Sequence, residues 1–401
     1  MGCATSGIGT QRRVTSSLGA DLLDTFLRID RDIWREEKAA PAPSLGHCMA
    51  RLEKINSEIE ETLNEMNNDQ VLMPGAVPAE EEQIESADES IHRAMQELRI
   101  NRNPEVAIEH EEFIANLTRK ALKQHCLHWL TRRKKDTEAE VAKLSDRVQH
   151  LQRLYEHQDT VLGEVLGSAS SELEVELDRM RSYRDTLYSG ELPWREASRL
   201  TQAGATLARA GFQSWATINT TLNSDSRFRL ATESRNAIHE ATMCIQTAQS
   251  ILPGVQFPYC TSREINALWQ VVEYLYTDMQ VIDRYTHAGE AYSSFQKRAA
   301  ALQQWIRNLM EQTIRKDVLD VDKKITELST RLCNERANQI RQETGLIGGR
   351  DTPCSSSSRK VERDSREKYW RPITMHGAVI VSRSMSGSRQ VSLQDDDDDY
   401  F

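Results

Sequence analysis

Proline and glycine are scarce in this chain, 10 and 18 among 401 residues, and aromatics make up only 6% of it. So few breakers leave little room for a turn-rich fold, and long stretches instead use Ala, Leu, Glu, Gln and Arg, the residues that lose least entropy in a helix. The seven cysteines, at positions 3, 48, 126, 244, 260, 333 and 354, include no CxxC pair. With no signal peptide ahead of them, they read as free cytosolic thiols rather than a disulfide framework or a ribbon-type zinc site. No run approaches the roughly 20 apolar residues that span a bilayer, so any membrane attachment has to be peripheral or covalent. A hydrophobic content of 38% beside 28% charged residues is leaner than a compact enzyme and leaves much of the chain wet.

Charge is sorted into blocks. Residues 47–100 carry 4 basic and 13 acidic side chains, residues 346–394 carry 9 basic and 4 acidic ones, and residues 395–399 are all Asp. The net charge of −10 favours solubility and argues against nucleic acid as a partner of the overall field.

The amino terminus is the most specific signal. Met1, Gly2, Cys3, Ala4, Thr5 and Ser6 fit N-myristoylation of Gly2 after Met removal, with Cys3 placed for S-acylation. One myristoyl chain binds membranes only marginally, and Arg12 and Arg13 are too few to supplement it, so Cys3 is the second signal. Over these six residues the chain resembles the dual-acylated amino termini of Src-type kinases and G-protein α subunits. That resemblance implies attachment to the cytosolic face of the plasma membrane or endomembranes and says nothing of the rest. Residues 1–20 then read as an acylated flexible tether.

The spacing of apolar residues predicts an all-α protein: an elongated helical bundle with two coiled-coil-like segments and a disordered C-terminal tail. Over 21–103 it predicts short helices separated by hinges at Pro41, Pro43, Pro74 and Pro78. From 104 to 167 it predicts one long helix, whose second half sets Val141, Leu144, Val148, Leu151, Tyr155, Gln158 and Leu162 in a heptad seam. Residues 168–345 read as a bundle. Ile238, Ala241, Ile245 and Ala248 form a stripe with small residues for close helix approach, Pro253 and Gly254 end that helix, and Thr261 with Glu264 forms a capping box. Ile314, Val318, Val321, Ile325, Leu328 and Leu332 give the second seam. These seams predict a homo-oligomer or a coiled-coil partner protein. Residues 346–401 change to a Ser- and Arg-rich composition and read as disordered.

Few clusters point to chemistry. His125, Cys126 and His128 form the one tight group of metal-type ligands and lack two further ligands for zinc. No nucleophile elbow, phosphate loop or kinase motif is present, so the expectation is no catalytic residue, no metal and no cofactor. The cations Arg119, Lys120, Lys123, Arg132, Arg133, Lys134 and Lys135, with no acid between Glu112 and Asp136, form a basic stretch for anionic lipid or a partner. The alternative is neutralisation by Glu80, Glu81, Glu82, Glu85, Asp88 and Glu89. Ser386 and Ser392 each follow an Arg by three, the spacing of basic-directed phosphorylation. Asp399, Tyr400 and Phe401 offer a terminus that a PDZ-type domain would bind as an added strand.

The function these features predict is a membrane-tethered scaffold or adaptor. A BAR-like membrane-shaping dimer, which the chain resembles only in long helices and the cationic stretch, is the alternative. A soluble regulatory subunit without a lipid anchor is the other.

Overall fold

The computed structural model describes residues 8–71, 87–100, 104–166, 171–311 and 315–345, with side chains throughout except at 8–18, 69–71, 104, 166 and 315–317. These residues form helices, and no strand occurs among them. In chain order the helices are α1 (Ile8–Glu37), α2 (Pro41–Val71), α3 (Ala87–Glu97), α4 (Pro104–Glu109) and α5 (Glu111–Leu166). They continue as α6 (Glu172–Ile218), α7 (Ser224–Ile251), α8 (Ser262–Glu273), the single turn α9 (Leu275–Asp278), α10 (Ile282–Leu309) and α11 (Arg315–Glu343). The chain is all-α.

The 56 residues of α5 rise about 84 Å and set the long dimension of an elongated bundle. The largest core gathers α6, α7 and α10 with α3 and the first half of α5, around fully buried Trp194, Trp215, Ile238, Tyr276 and Tyr292. At the far end of α5 a second core joins Phe26, Ile29 and Ile33 of α1 to Val161 and Leu162 of α5 and Cys333 and Ile340 of α11. A third sets Leu177 and Leu187 of α6 against Val318, Val321, Ile325 and Leu332 of α11.

Both heptad seams therefore lie inside this one chain. Leu151, Tyr155 and Leu162 of the first pack in the core with α1, and the second, from Val318 to Leu332, pairs with Leu173, Leu177, Met180 and Leu187; Ile314 lies outside the described residues. A polar layer fixes the register: Arg147 Nη2 donates to Glu36 at 2.8 Å, Tyr155 Oη donates to the Glu37 carboxylate, and Arg181 forms an ion pair with the same carboxylate at 2.8 Å.

The α6–α7 contact is the closest approach in the larger core. A Cβ on Gly211 would fall 2.6 Å from Ile238 Cγ1 and 3.1 Å from the Ser234 carbonyl. Ser234 Oγ donates to the Gly211 carbonyl at 2.9 Å. The small-residue stripe expected on α7 is buried here, with Ile238, Ala241, Ile245 and Ala248 all at 0% exposure. The capping box is present at the start of α8: Thr261 N–H donates to Glu264 while Glu264 N–H donates to Thr261 Oγ1.

Several boundaries differ from the sequence expectation. α1 begins at Ile8, which shortens the tether expected over residues 1–20. Pro41 opens α2 with Pro43 in its first turn rather than forming a hinge, because proline lacks only an N–H that the first turn leaves unbonded anyway. The hinge proper is Ala40, at φ 43°. The helix expected from 104 onward breaks at His110 into α4 and α5. Pro193 sits inside α6, where its ring removes one main-chain hydrogen bond. Of residues 80–100, 87–97 are helical, and 80–86 lie outside the described residues. So do Pro74, Pro78 and the tail 346–401.

Candidate functional site

The basic stretch lies on the first half of α5, and four of its seven cations face carboxylates from four different helices. Arg119 Nε donates to Glu273 of α8 at 2.9 Å. Lys123 lies 3.9 Å from Glu65 of α2, Arg132 donates to Glu240 of α7 at 2.6 Å, and Arg133 reaches Glu196 of α6 at 3.5 Å. Arg133 also stacks over Trp129. Lys120 and Lys135 are exposed and Lys134 half-buried; among the described residues none of these three pairs with a carboxylate. The stretch thus ties α2, α6, α7 and α8 to α5. Of the acids named as neutralising partners from the sequence, Asp88 pairs instead with buried Arg235 at 2.6 Å, and Glu80, Glu81, Glu82 and Glu85 lie outside the described residues.

Glu196 is the hub of a buried polar cluster that sequence reasoning missed. His47 Nε2 of α2 lies 2.7 Å from Glu196 Oε2, and Arg51 Nη1 lies 3.6 Å from Oε1. Arg51 continues to Glu140 at 2.5 Å. Burial alone would raise the Glu196 pKa, but the His47 hydrogen bond and the Arg51 and Arg133 charges outweigh it and hold the carboxyl below its ordinary value. Removing Arg133 from water lowers its own pKa. The one sequence signal for this hub is a Glu two residues after Trp194, at a position that a buried helix face would otherwise fill with an apolar side chain.

His125 and His128 do not converge. His125 turns inward, its ring centroid 5.9 Å from that of His239 on α7, whereas His128 is exposed. His239 is 3% exposed, and burial with His125 and Arg235 nearby pushes its pKa down to about 3. Among the described residues no group of three metal-type ligands assembles.

A cleft of about 740 Å³ opens between α8 and α10. Leu268 and Val271 of α8 and Ala291 and Phe295 of α10 line its apolar floor. Each end carries an ion cluster: Arg298 with Glu264, and Arg284 with Glu111 and Asp278. Arg284 Nε lies 2.8 Å from Asp278 Oδ1 but off the hydrogen-bond line, since that oxygen accepts no hydrogen bond. Burial outweighs the Arg284 charge and pushes Asp278 up to about 6. The volume and mostly apolar lining suit a small molecule or the anchor side chains of a peptide.

The cleft and the amino-terminal helix lie at opposite ends of the bundle. Arg284, which lines the cleft, donates to Glu111 at the start of α5 at 2.5 Å, whereas Phe26 of α1 packs at Val161 and Leu162, about 75 Å further along the helix. At that far end α1 and α11 meet, since a Cβ on Gly19 would fall 2.6 Å from Thr344 Cβ. α11 then closes at Gly345, whose φ of +67° is the left-handed conformation of a helix C-cap.

Gly2, Cys3, Ser386, Ser392 and the terminal residues 399–401 lie outside the described residues. No helix among the described residues is long and apolar enough to cross a membrane. Comparison with family models, with curated proteins and with solved structures finds no match to this chain.

Proposed function

We propose that this chain is a membrane-tethered helical scaffold or adaptor, anchored on the cytosolic face by acyl chains on Gly2 and Cys3. The observation that carries the reading is the Gly2, Cys3, Ser6 acylation pattern directly ahead of α1. The fold supports it in two ways. α1 leads into the end of the bundle farthest from the α8–α10 cleft, so an anchor there leaves the cleft facing away from the lipid. Four of the seven cations on α5 are engaged with internal carboxylates, so the BAR-like alternative draws on a stretch that mainly holds helices together. A tether of this kind acts by raising the local concentration of whatever the body binds.

Metabolic labelling with clickable myristate and palmitate, with membrane fractionation, tests the anchor in the wild type, Gly2→Ala and Cys3→Ser. Both labels are expected on the wild type. Gly2→Ala loses both and becomes cytosolic, and Cys3→Ser keeps myristate but loses stable membrane residence. An unlabelled wild type overturns the proposal and leaves the soluble regulatory subunit as the reading.

A further inference from the structure

We infer that the α8–α10 cleft binds an amphipathic amine, seating its apolar chain on Leu268, Val271, Ala291 and Phe295 and its ammonium group against Asp278 and Asp283. The inference does not rest on the tether proposed above, and failure of either leaves the other standing.

The charge around the cleft decides the sign of the ligand. At the α9 end the carboxylates of Glu111, Asp278 and Asp283 share a single guanidinium, that of Arg284. Arg284 gives both of its η nitrogens to Glu111, at 3.1 and 2.5 Å, and only its Nε approaches Asp278. Asp283, exposed in the first turn of α10, pairs with no cation among the described residues. The surplus is therefore negative whether or not His287, on the same wall, carries a proton. At the other end Arg298 and Glu264 balance each other. An anion entering the cleft finds both guanidiniums occupied, whereas a cation finds carboxylates unmatched.

Asp278 is the built part of the site. Its side chain is 9% exposed and lines the cleft, yet its Oδ1 accepts no hydrogen bond. Tyr292 Oη, buried within range of the Asp278 charge, is also unpartnered and does not serve it. A buried acceptor without a donor is a standing cost to the fold, and burial outweighing the Arg284 charge is what pushes Asp278 up to about 6. An ammonium group brings three donors and a full positive charge, which meets both deficits.

The dimensions favour a small molecule over a partner helix. From Arg284 to Arg298 on α10 the two ion clusters are about 21 Å apart. The volume of about 740 Å³ lies within the roughly 300–1,000 Å³ of small-molecule sites. A helix laid along the cleft would run over both clusters, whereas an octyl chain fits between them. The apolar floor takes that chain out of water, and the carboxylates select its head.

The probe is octylammonium, with 1-octanol and octanoate as the neutral and anionic chains of equal length. Binding to the full-length chain is measured by isothermal titration calorimetry at about pH 7.5 and about 0.1 M salt. One octylammonium is expected per chain, held roughly 10- to 100-fold more tightly than octanol, with octanoate weaker still. Asp278→Asn is expected to bring octylammonium down to the level of octanol and to leave octanol unchanged. Asp283→Asn, on the exposed rim, should weaken octylammonium roughly two- to five-fold, and Ala291→Leu, which fills the floor, should weaken both ligands. Equal binding of the ammonium and the carboxylate, or no saturable binding of octylammonium, overturns the inference. So does octylammonium binding untouched by Asp283→Asn and Ala291→Leu, whatever the fold of Asp278→Asn, because it places the amine elsewhere on an acidic chain. A helical Leu–Lys peptide that binds where octylammonium does not also overturns it and assigns the cleft to a partner helix.

Discussion

Gly211→Ala is the most direct test of the packing that holds the larger core together. Two terms oppose each other. Alanine gains about 1 kcal/mol over glycine in a helix interior. The added methyl, however, meets Ile238 Cγ1 at 2.6 Å and the Ser234 carbonyl at 3.1 Å. The side chain can turn, but the carbonyl belongs to the α7 backbone, so α6 and α7 must separate. Overpacking of this kind costs about 1–3 kcal/mol, and separation also stretches the buried Ser234 to Gly211 hydrogen bond, whose loss costs about a further 1–3 kcal/mol. The expected net effect is destabilisation by about 1–5 kcal/mol, read as a lower urea midpoint by circular dichroism at unchanged slope. Gly163→Ala is the control: it lies within α5 with nothing within 4 Å of the added carbon, so propensity alone should raise stability by about 0.5–1 kcal/mol. The two substitutions are chemically identical and are expected to differ in sign. If Gly211→Ala stabilises as much as Gly163→Ala, the close approach of α6 and α7 is wrong. Ile238→Ala, which removes the Cγ1 that the added methyl meets, should couple to Gly211→Ala by about 1 kcal/mol in a double-mutant cycle.

Other consequences follow from buried charge and from the seams. His239 is held down to about 3, so below its ordinary value near 6.5 the unfolded chain takes the proton first and stability falls with pH. At pH 5 that loss is about 2 kcal/mol. Asp278, pushed up to about 6, acts oppositely and gains stability as pH falls through 6. His239→Gln should therefore flatten the decline between pH 7 and 5, and an unchanged slope in urea titrations would refute the assignment. Glu196→Gln leaves Arg133 without its ion pair and Arg51 with Glu140 alone and should cost about 3 kcal/mol, measured by the same midpoint; a neutral result would mean that the cluster is hydrated. Leu177→Ala, at 1% exposure between α6 and α11, should cost about 2–5 kcal/mol. Its midpoint should not depend on protein concentration, since the seam pairs within one chain; a concentration-dependent midpoint would show that a second copy shares the seam.

The class of fold was legible in the sequence because periodicity and local end signals are properties of neighbouring residues. The α7 stripe through Ile238, Ala241 and Ile245, the end of that helix before Pro253, and the Thr261 and Glu264 capping box all depend on spacings of a few residues. Pro41 was misread because proline breaks a helix from inside but starts one at its first position, and composition alone does not say which side of the boundary it occupies. The polar sites were illegible for a different reason. Glu196 meets His47 across 149 positions, and Arg132 meets Glu240 across 108. Nothing near either residue marks its partner, so the basic stretch could be paired in principle with any acidic block of the chain. The seams likewise announced that they would be buried without saying against what.

The contact between Gly19 and Thr344 bears on how the chain could be rewired. Because α11 closes beside Gly19, with α1 starting about 17 Å further along at Ile8, a linker of that reach could join the two helices without disturbing either core. The chain could then be opened between α6 and α7 at Leu222, which is fully exposed in the kind of loop that tolerates new ends. Such a circular permutant keeps every helix contact and reverses only the polarity of the rod. An acylated amino terminus placed at Asn223 would press the other end of the bundle against the lipid and turn the joined helices outward. The order in which the helices are strung is thus separable from their packing, and under the proposed tether it is the position of the chain break that would set which end faces the bilayer.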